Sequence, residues 1–191
     1  QSPSDMKGKT FAIPSTQSSH YILLLEELQK AGLTLDDIQV TQLAPSEMPS
    51  SLASGAIDGY CVAEPFGAQA VTNGFGNVLA RSDDLWKDSV CCGLIFRTDV
   101  IEQNPKAFQT FLEKYQEAGK KLDKEEATRI AENYLGQDAK TLETSLEWIS
   151  YDDLTITREA YDDLYEKVLS DHMIENPPTY DDFVYTTDGK E

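Results

Sequence analysis

The sequence predicts an α/β protein in which a parallel or mixed sheet is followed by a helical C-terminal segment. The first half of the chain alternates short β-branched or aromatic runs with amphipathic stretches, in the order strand, helix, strand, helix. This rhythm is typical of a parallel sheet. From about residue 104 onward the chain instead carries wide apolar stripes at helical spacing, and these stripes predict helices packed one after another.

The first strand is predicted at residues 10–13, and it leads through Pro14 and several small hydroxyl residues into an apolar helix. Residues 21–31 repeat their apolar side chains every three or four positions, and Gly32 is a typical helix stop. A second strand is predicted at residues 38–43, where apolar and polar residues alternate. A second helix then begins at Pro45 and ends at Gly55.

Three further apolar runs predict strands, at residues 57–63, 77–80 and 90–96. The first and third are continuous, which is typical of strands buried on both faces. Residues 1–7 are polar and are expected to be frayed, and residues 82–87 are expected to form a polar surface turn. The remaining helices are predicted at residues 66–71, 104–122, 123–135, 138–148 and 157–172, and the last ordered piece is expected at residues 180–184.

Composition excludes several classes of protein. The net charge of −18, from 34 acidic and 16 basic side chains in 191 residues, would repel a phosphate backbone, so nucleic acid is not an expected partner. No apolar run approaches the roughly twenty residues of a membrane span. No basic and apolar leader precedes Lys7, which leaves the compartment open because a mature chain would have lost it.

The cysteines and histidines are too few and too scattered to predict a metal site or a disulfide framework. Cys61, Cys91 and Cys92 all lie in apolar runs, and we expect them to be buried. The sequence contains neither a glycine-rich phosphate loop nor a serine in a nucleophile-elbow context. No cofactor, no metal and no enzymatic activity is therefore predicted.

The first candidate site is the junction between the first strand and the first helix. The first amides of a helix lack partners within the helix and carry the positive end of its dipole, so they favour an anion or another acceptor-rich group. Ser15, Thr16 and Ser18 are predicted to add hydroxyls to such a site, together with Ser19. The alternative is that Ser18 or Ser19 simply caps the helix.

The second candidate is Glu64, which follows the predicted strand 57–63. Ligands of open parallel sheets bind outside the carboxyl ends of the strands, so Glu64 and the loop after Ile13 are expected at the same edge. The alternative is that Glu64 caps the helix that begins near Pro65. His20 could assist a ligand contact, but a packed or surface role is the favoured interpretation.

Several stretches occur in the order found in one transport family. They are Asp5-Met6-Lys7-Gly8-Lys9-Thr10-Phe11-Ala12-Ile13-Pro14, Ser15-Thr16 through Leu24, Ala44-Pro45-Ser46-Glu47-Met48-Pro49, residues 52–60, Glu64-Pro65-Phe66, and the helix from Asn104-Pro105 to Ala118-Gly119. In this order the chain resembles the solute-binding proteins of ABC importers for nitrate, sulfonates, taurine and pyrimidine precursors of thiamine. The resemblance covers most of residues 5–185.

The resemblance implies a type II periplasmic-binding fold, with two α/β lobes around a hinge and the ligand between them. Residues 1–7 would be a polar leading segment, 8–89 the second lobe, and 90–191 a crossover strand plus the C-terminal helical segment of the first lobe. The resemblance also implies a small-molecule ligand held by Ser15, Thr16, Ser18 and Glu64. An ABC permease would be the partner, and the location would be extracytoplasmic, either periplasmic or as a membrane-anchored lipoprotein.

The chain departs from the family at its start, because family members have a substantial part of the first lobe before the stretch that begins at Asp5. We therefore expect a one-sided cleft with weak or absent binding, and self-association through uncovered apolar surface. Two alternatives remain: a sensory effector-binding domain and an enzyme of pyrimidine-precursor synthesis. Cys91 and Cys92 alone do not reproduce the cysteine-rich stretch of those synthases, so that activity is not transferred.

Overall fold

The computed structural model describes residues 2–151 and 154–185. Three parallel strands form one sheet in the order β2-β1-β3. The strands are β1 (Thr10–Ile13), β2 (Gln39–Gln42) and β3 (Gly59–Tyr60). Phe11 of the central strand lies opposite Val40 on one side and Gly59 on the other. The predicted parallel sheet is confirmed.

The first half of the chain contains four described helices, of which the first two connect the three strands as predicted. They are α1 (Ser19–Lys30), α2 (Met48–Ser54), α3 (Phe66–Thr72) and α4 (Ser82–Leu85), with 3-10 turns at Pro3–Met6, Leu35–Asp37 and Pro45–Glu47. Gly55 follows the last residue of α2 with φ 76°, a left-handed conformation that glycine adopts without steric cost.

The second half of the chain is helical in its described part. Its helices are α5 (Thr98–Gln103), α6 (Pro105–Lys121), α7 (Lys124–Ile130), α8 (Ala139–Ser145), α9 (Arg158–Ser170) and α10 (Tyr180–Phe183), and a π-helical turn at Ala131–Leu135 continues α7. Three of these helices begin with a side-chain cap, in which Asp123, Asp138 and Thr157 each accept the amide three residues later. No described helix is both long and apolar enough to cross a bilayer.

The core lies on both faces of the sheet. Between the sheet and α1 are Met6, Ile13, Leu24, Leu28 and Ile38. The opposite face buries Ala12, Met48 and Ile57 against α2. Met6 is only 3% exposed, so the expectation that residues 1–7 are frayed is wrong for this part of the segment. The Met6 side chain packs between the sheet and α1. The polar composition of residues 1–7 does not reveal this packing.

A third cluster joins α9 to α1. It is built from Ile22, Trp86 and Val168. The indole Nε1 of Trp86 donates a hydrogen bond to Asp163, and Lys167 Nζ lies 2.5 Å from Glu26 Oε1. Trp86 is 4% exposed, so residues 82–87 are not a polar surface turn but a short helix that ends in a buried indole.

Two predicted strands are not formed. Residues 86–97 are irregular, and Leu94 and Ile95 are 53% and 86% exposed. Residues 77–80 are also irregular, with Val78 46% exposed. An apolar run becomes a strand only where a neighbouring strand completes its hydrogen bonds. In the described sheet the edge strand β3 has only two residues, although residues 57–63 were predicted as a longer strand.

Candidate functional site

Residues 14–18 lead from the carboxyl end of the central strand into α1, and Ser15 holds this loop together. The Ser15 hydroxyl accepts a hydrogen bond from the Gln17 amide at 3.1 Å. The Ser15 carbonyl accepts from the Ser18 hydroxyl at 2.7 Å and from the Ser18 amide at 3.2 Å. The loop is therefore a compact turn, with Thr16 at its exposed tip.

This turn determines how α1 begins. Ser18 precedes α1 in an extended conformation, and within the described residues its side chain makes no capping bond to the helix. The alternative in which the Ser18 hydroxyl caps α1 is therefore wrong, because that hydroxyl is used by Ser15. The positive end of a 12-residue helix thus faces the carboxyl edge of the sheet with no acidic residue in its first turn.

His20 lies in this first turn and is partly buried. Its Nδ1 atom is buried and has no hydrogen-bond partner in the described part of the chain. Burial lowers the pKa of the His20 imidazole, because a charged ring would lose its hydration. The ring is consequently neutral near pH 7, so backbone dipoles and hydroxyls supply the positive potential at this loop.

Glu64 leaves the sheet at the same edge, because β3 runs parallel to β1 and the Cys61 amide continues their pairing with a bond to the Ala12 carbonyl (2.9 Å). The peptide between Glu64 and Pro65 is cis. Glu64 Oε2 accepts a hydrogen bond from the Ala68 amide at 3.2 Å. Glu64 therefore does bind the first turn of α3, as the alternative interpretation predicted. This role does not by itself exclude a ligand contact.

The carboxylate of Glu64 also faces the C-terminal helices. Burial raises the pKa of Glu64, and hydrogen bonds from the Ala68 amide and the Ser145 hydroxyl partly offset that rise. Glu64, Leu142, Ser145 and Tyr151 are among the residues that line a cavity of about 130 Å³ beside α8. Ser145 is 2% exposed, so its hydroxyl depends on this partner.

Neighbouring polar contacts hold α8 against α3. The hydroxyls of Thr72 and Thr141 lie 3.2 Å apart, and Lys140 Nζ donates to the Thr72 carbonyl at 2.6 Å. Sequence reasoning missed Thr141 and Ser145, the two buried polar residues of α8. Thr141 has one nearby partner, Asp138. The partners on α3 and before it, Thr72 and Glu64, lie about seventy or more positions earlier in the chain, so no local signal distinguishes the two buried residues from surface hydroxyls.

The predicted site residues therefore fall into two groups at one edge of the sheet. In the described part of the chain, the side-chain hydrogen-bond partners of Glu64 lie on α3 and α8, whereas those of the Ser15 and Ser18 hydroxyls lie within their own loop. Among residues 2–151 and 154–185, no three His, Cys, Asp or Glu side chains are grouped to hold a metal ion. Contact of either group with a ligand stays a prediction.

Residues 1–136 match the model of the NMT1-like family. The chain belongs to this family. The prediction of an ABC-importer solute-binding protein from the nitrate, sulfonate and pyrimidine-precursor group is thereby confirmed at the level of the family. The type II periplasmic-binding-like α/β architecture with a helical C-terminal segment agrees with the solved relatives.

Three relatives illustrate the family. The nitrate/nitrite binding protein NrtA of Nostoc sp. is 32% identical over 123 residues, which cover 64% of this chain and 28% of that protein. The putative aliphatic sulfonates-binding protein of Escherichia coli K12 is 36% identical over 81 residues, 42% of this chain and 25% of that protein. The ligand-binding component of an ABC-type import system from Staphylococcus aureus, solved with zinc bound, is 34% identical with a TM-score of 0.86.

The S. aureus comparison covers 94% of this chain and 62% of that one. The chain therefore spans less than two thirds of each of these relatives. All three are described as binding proteins or components rather than enzymes, in agreement with the prediction that this chain is not an enzyme.

Proposed function

We propose that this chain belongs to the ligand-capturing component of an ABC importer and holds a small polar nutrient where β1 meets α1. The observation that carries the proposal is the uncapped start of α1 at the carboxyl edge of the central strand. Membership of the NMT1-like family and the likeness to an ABC import component support it. The captured ligand would pass to a permease in the membrane, so the working location would be extracytoplasmic, either periplasmic or lipid-anchored.

In this proposal the first amides of α1 and the hydroxyls of Ser15 and Thr16 hold the acceptor-rich end of the ligand. The Ser18 hydroxyl joins them when it exchanges its bond to the Ser15 carbonyl for one to the ligand. Thr16 is exposed, and its hydroxyl is therefore accessible for such a contact. Because the nearby His20 ring is neutral, binding depends on dipoles rather than on a full positive charge. Hydrogen bonds to a charged group contribute about 1.5–3 kcal/mol each.

Glu64 would accept a hydrogen bond from a donor on the same ligand. A carboxylate offers about four acceptor positions, so the Ala68 amide and the Ser145 hydroxyl leave some of them free. A carboxylate near the site disfavours a bare anion such as nitrate. The proposed ligand class is therefore an aminosulfonate such as taurine, or a neutral ring such as a thiamine-precursor pyrimidine.

Thermal-shift screening of the chain against taurine, ethanesulfonate, nitrate and a hydroxymethylpyrimidine tests the proposal. Each compound is raised to tens of millimolar, because a one-sided cleft is expected to bind weakly. Ligand at 100 times its dissociation constant adds about 2.7 kcal/mol of stability. That gain raises the melting temperature by roughly 5–10 °C for a chain of this size. The Thr16→Ala variant should bind about tenfold more weakly. The control Ser54→Ala, which removes an exposed hydroxyl at the end of α2, should bind as the parent does.

Two results would overturn the proposal: no compound of the panel shifts the melting temperature, or Thr16→Ala binds as tightly as Ser54→Ala.

The apolar residues Leu94 and Ile95 support a further proposal, that the chain self-associates through this exposed segment. Light scattering after size exclusion should then show a mass that rises with concentration.

A further inference from the structure

The two adjacent cysteines of the irregular segment 86–97 are a feature that the transport function does not use. Cys91 and Cys92 are both free and exposed. Their Sγ atoms lie 3.5 Å apart, so two thiols point to the same small region of space. This arrangement contradicts the expectation that both residues are buried, and it places an accessible dithiol on the surface.

The surroundings separate this pair from the third cysteine. The Ser19 hydroxyl contacts the Cys91 thiol, which brings the pair to the first residue of α1. Cys61 is only partly exposed, and burial together with the nearby Cys91 raises the pKa of its thiol to about 12. Cys61 is therefore near Cys91 but less accessible than the pair.

We propose that Cys91 and Cys92 form a binding site for a trivalent arsenical or a similar thiophilic centre that is chelated by two sulfurs. Two bonds of about 2.3 Å, the usual metal–thiolate length, to sulfurs 3.5 Å apart enclose an angle of about 100°. This angle suits a pyramidal atom with three bonds and excludes linear two-coordination. The site needs neither Cys61 nor any residue of the proposed ligand loop.

The reaction with phenylarsine oxide balances without a redox step. Both S–H bonds break, two As–S bonds form, and the arsenic-bound oxygen leaves as water with the two protons. Arsenic remains trivalent, so no oxidant or reductant is consumed. Because the second sulfur closes a ring, its effective concentration is far above that of any free thiol, which can raise overall affinity by about 10²–10⁴.

Single-site reagents should distinguish this chelation from ordinary thiol reactivity. Partial burial of the sulfur and the neighbouring Cys92 raise the pKa of Cys91 to about 11, so its thiol is protonated near pH 7. A protonated thiol reacts slowly with a monofunctional alkylating agent. A reagent that joins both sulfurs gains from ring closure and should still bind.

The test is native mass spectrometry of the reduced full chain with phenylarsine oxide after the reductant has been removed. We expect one adduct per chain, which 2,3-dimercaptopropanol displaces and an equal thiol concentration of 2-mercaptoethanol does not. Cys91→Ser and Cys92→Ser should each weaken retention at least 100-fold. The matched control Cys61→Ala should retain the adduct.

Circular dichroism of each variant shows whether it is folded, and the two single variants provide independent readings of the same pair. The proposal is overturned if a folded Cys92→Ser or Cys91→Ser variant binds as the parent does. It is also overturned if Cys61→Ala abolishes the adduct, or if the monothiol displaces it as readily as the dithiol.

Discussion

Gly59 lies where β3 pairs with β1, and the pairing leaves no room for a side chain at this position. It lies opposite Phe11, and a Cβ atom on residue 59 would come within 2.9 Å of Phe11 Cδ1 and closer still to Cε1. The Phe11 ring packs against the cluster beneath α1. Replacing Gly59 by Ala therefore forces the ring away from its packed position.

The size of this effect follows from two opposing terms. Overpacking in a well-packed site costs about 1–3 kcal/mol. The Gly-to-Ala change returns about 0.4–1 kcal/mol by restricting the unfolded chain. We therefore expect Gly59→Ala to lower the free energy of unfolding by about 1–2 kcal/mol. For a chain of this size that loss lowers the melting temperature by roughly 2–8 °C.

Thermal and urea unfolding followed by circular dichroism measure this change. Gly93→Ala is the matched control, since its Cβ would meet Ile156 Cδ1 at an ordinary 3.8 Å, and it should be neutral or slightly more stable. The double variant Gly59→Ala/Phe11→Leu should show a favourable coupling of at least about 0.5 kcal/mol, because the smaller side chain frees the space. An undiminished stability of Gly59→Ala, or independent effects of the two changes, would refute the β1–β3 register.

Three further predictions concern the attachment of the C-terminal helices and a buried charge. Trp86→Phe removes the donor to Asp163 and part of a buried ring, so urea unfolding should show a loss of about 1–3 kcal/mol. A stability equal to that of the parent would contradict the docking of α9. Thr141→Val removes the contact with the Thr72 hydroxyl, which keeps the Ala68 carbonyl as a partner, and should cost only about 1 kcal/mol. A loss of stability several times larger would contradict this account of the contact between α8 and α3. Burial raises the pKa of Glu27, so the native state holds its proton more tightly than the unfolded chain, and stability falls as pH rises from about 4.5 through the native pKa. Glu27→Gln should therefore gain in melting temperature relative to the parent on going from pH 4 to pH 7, and a relative loss would contradict this assignment.

The elements around β1 could be predicted because their signals are local. The apolar spacing of residues 21–31 and the stop at Gly32 predict a helix, and α1 occupies Ser19–Lys30. The helices predicted at residues 123–135 and 138–148 likewise begin where expected, because Asp123 and Asp138 each accept an amide only three residues away. Periodicity and capping depend on neighbours in sequence, so they can be recognised without knowledge of the tertiary structure.

The failures occur where a distant partner decides the structure. Residues 90–96 have the composition of a buried strand, but a strand exists only through its pairing, and in the described sheet this run has no neighbour. The prediction that Cys91 and Cys92 are buried is wrong for the same reason, because both lie in this unpaired run. The contact of Glu64 with Ser145 joins residues far apart in the chain, and one sequence contains no trace of it.

The central claim is that the start of α1 receives the ligand, and amide NMR tests it most directly. In a titration of ¹⁵N-labelled protein with taurine, we expect the largest shift changes at the amides of Thr16, Ser19 and His20. Smaller changes are expected at Glu64. Changes confined to the cavity beside Leu142 and Tyr151, with the α1 amides unmoved, would contradict the account.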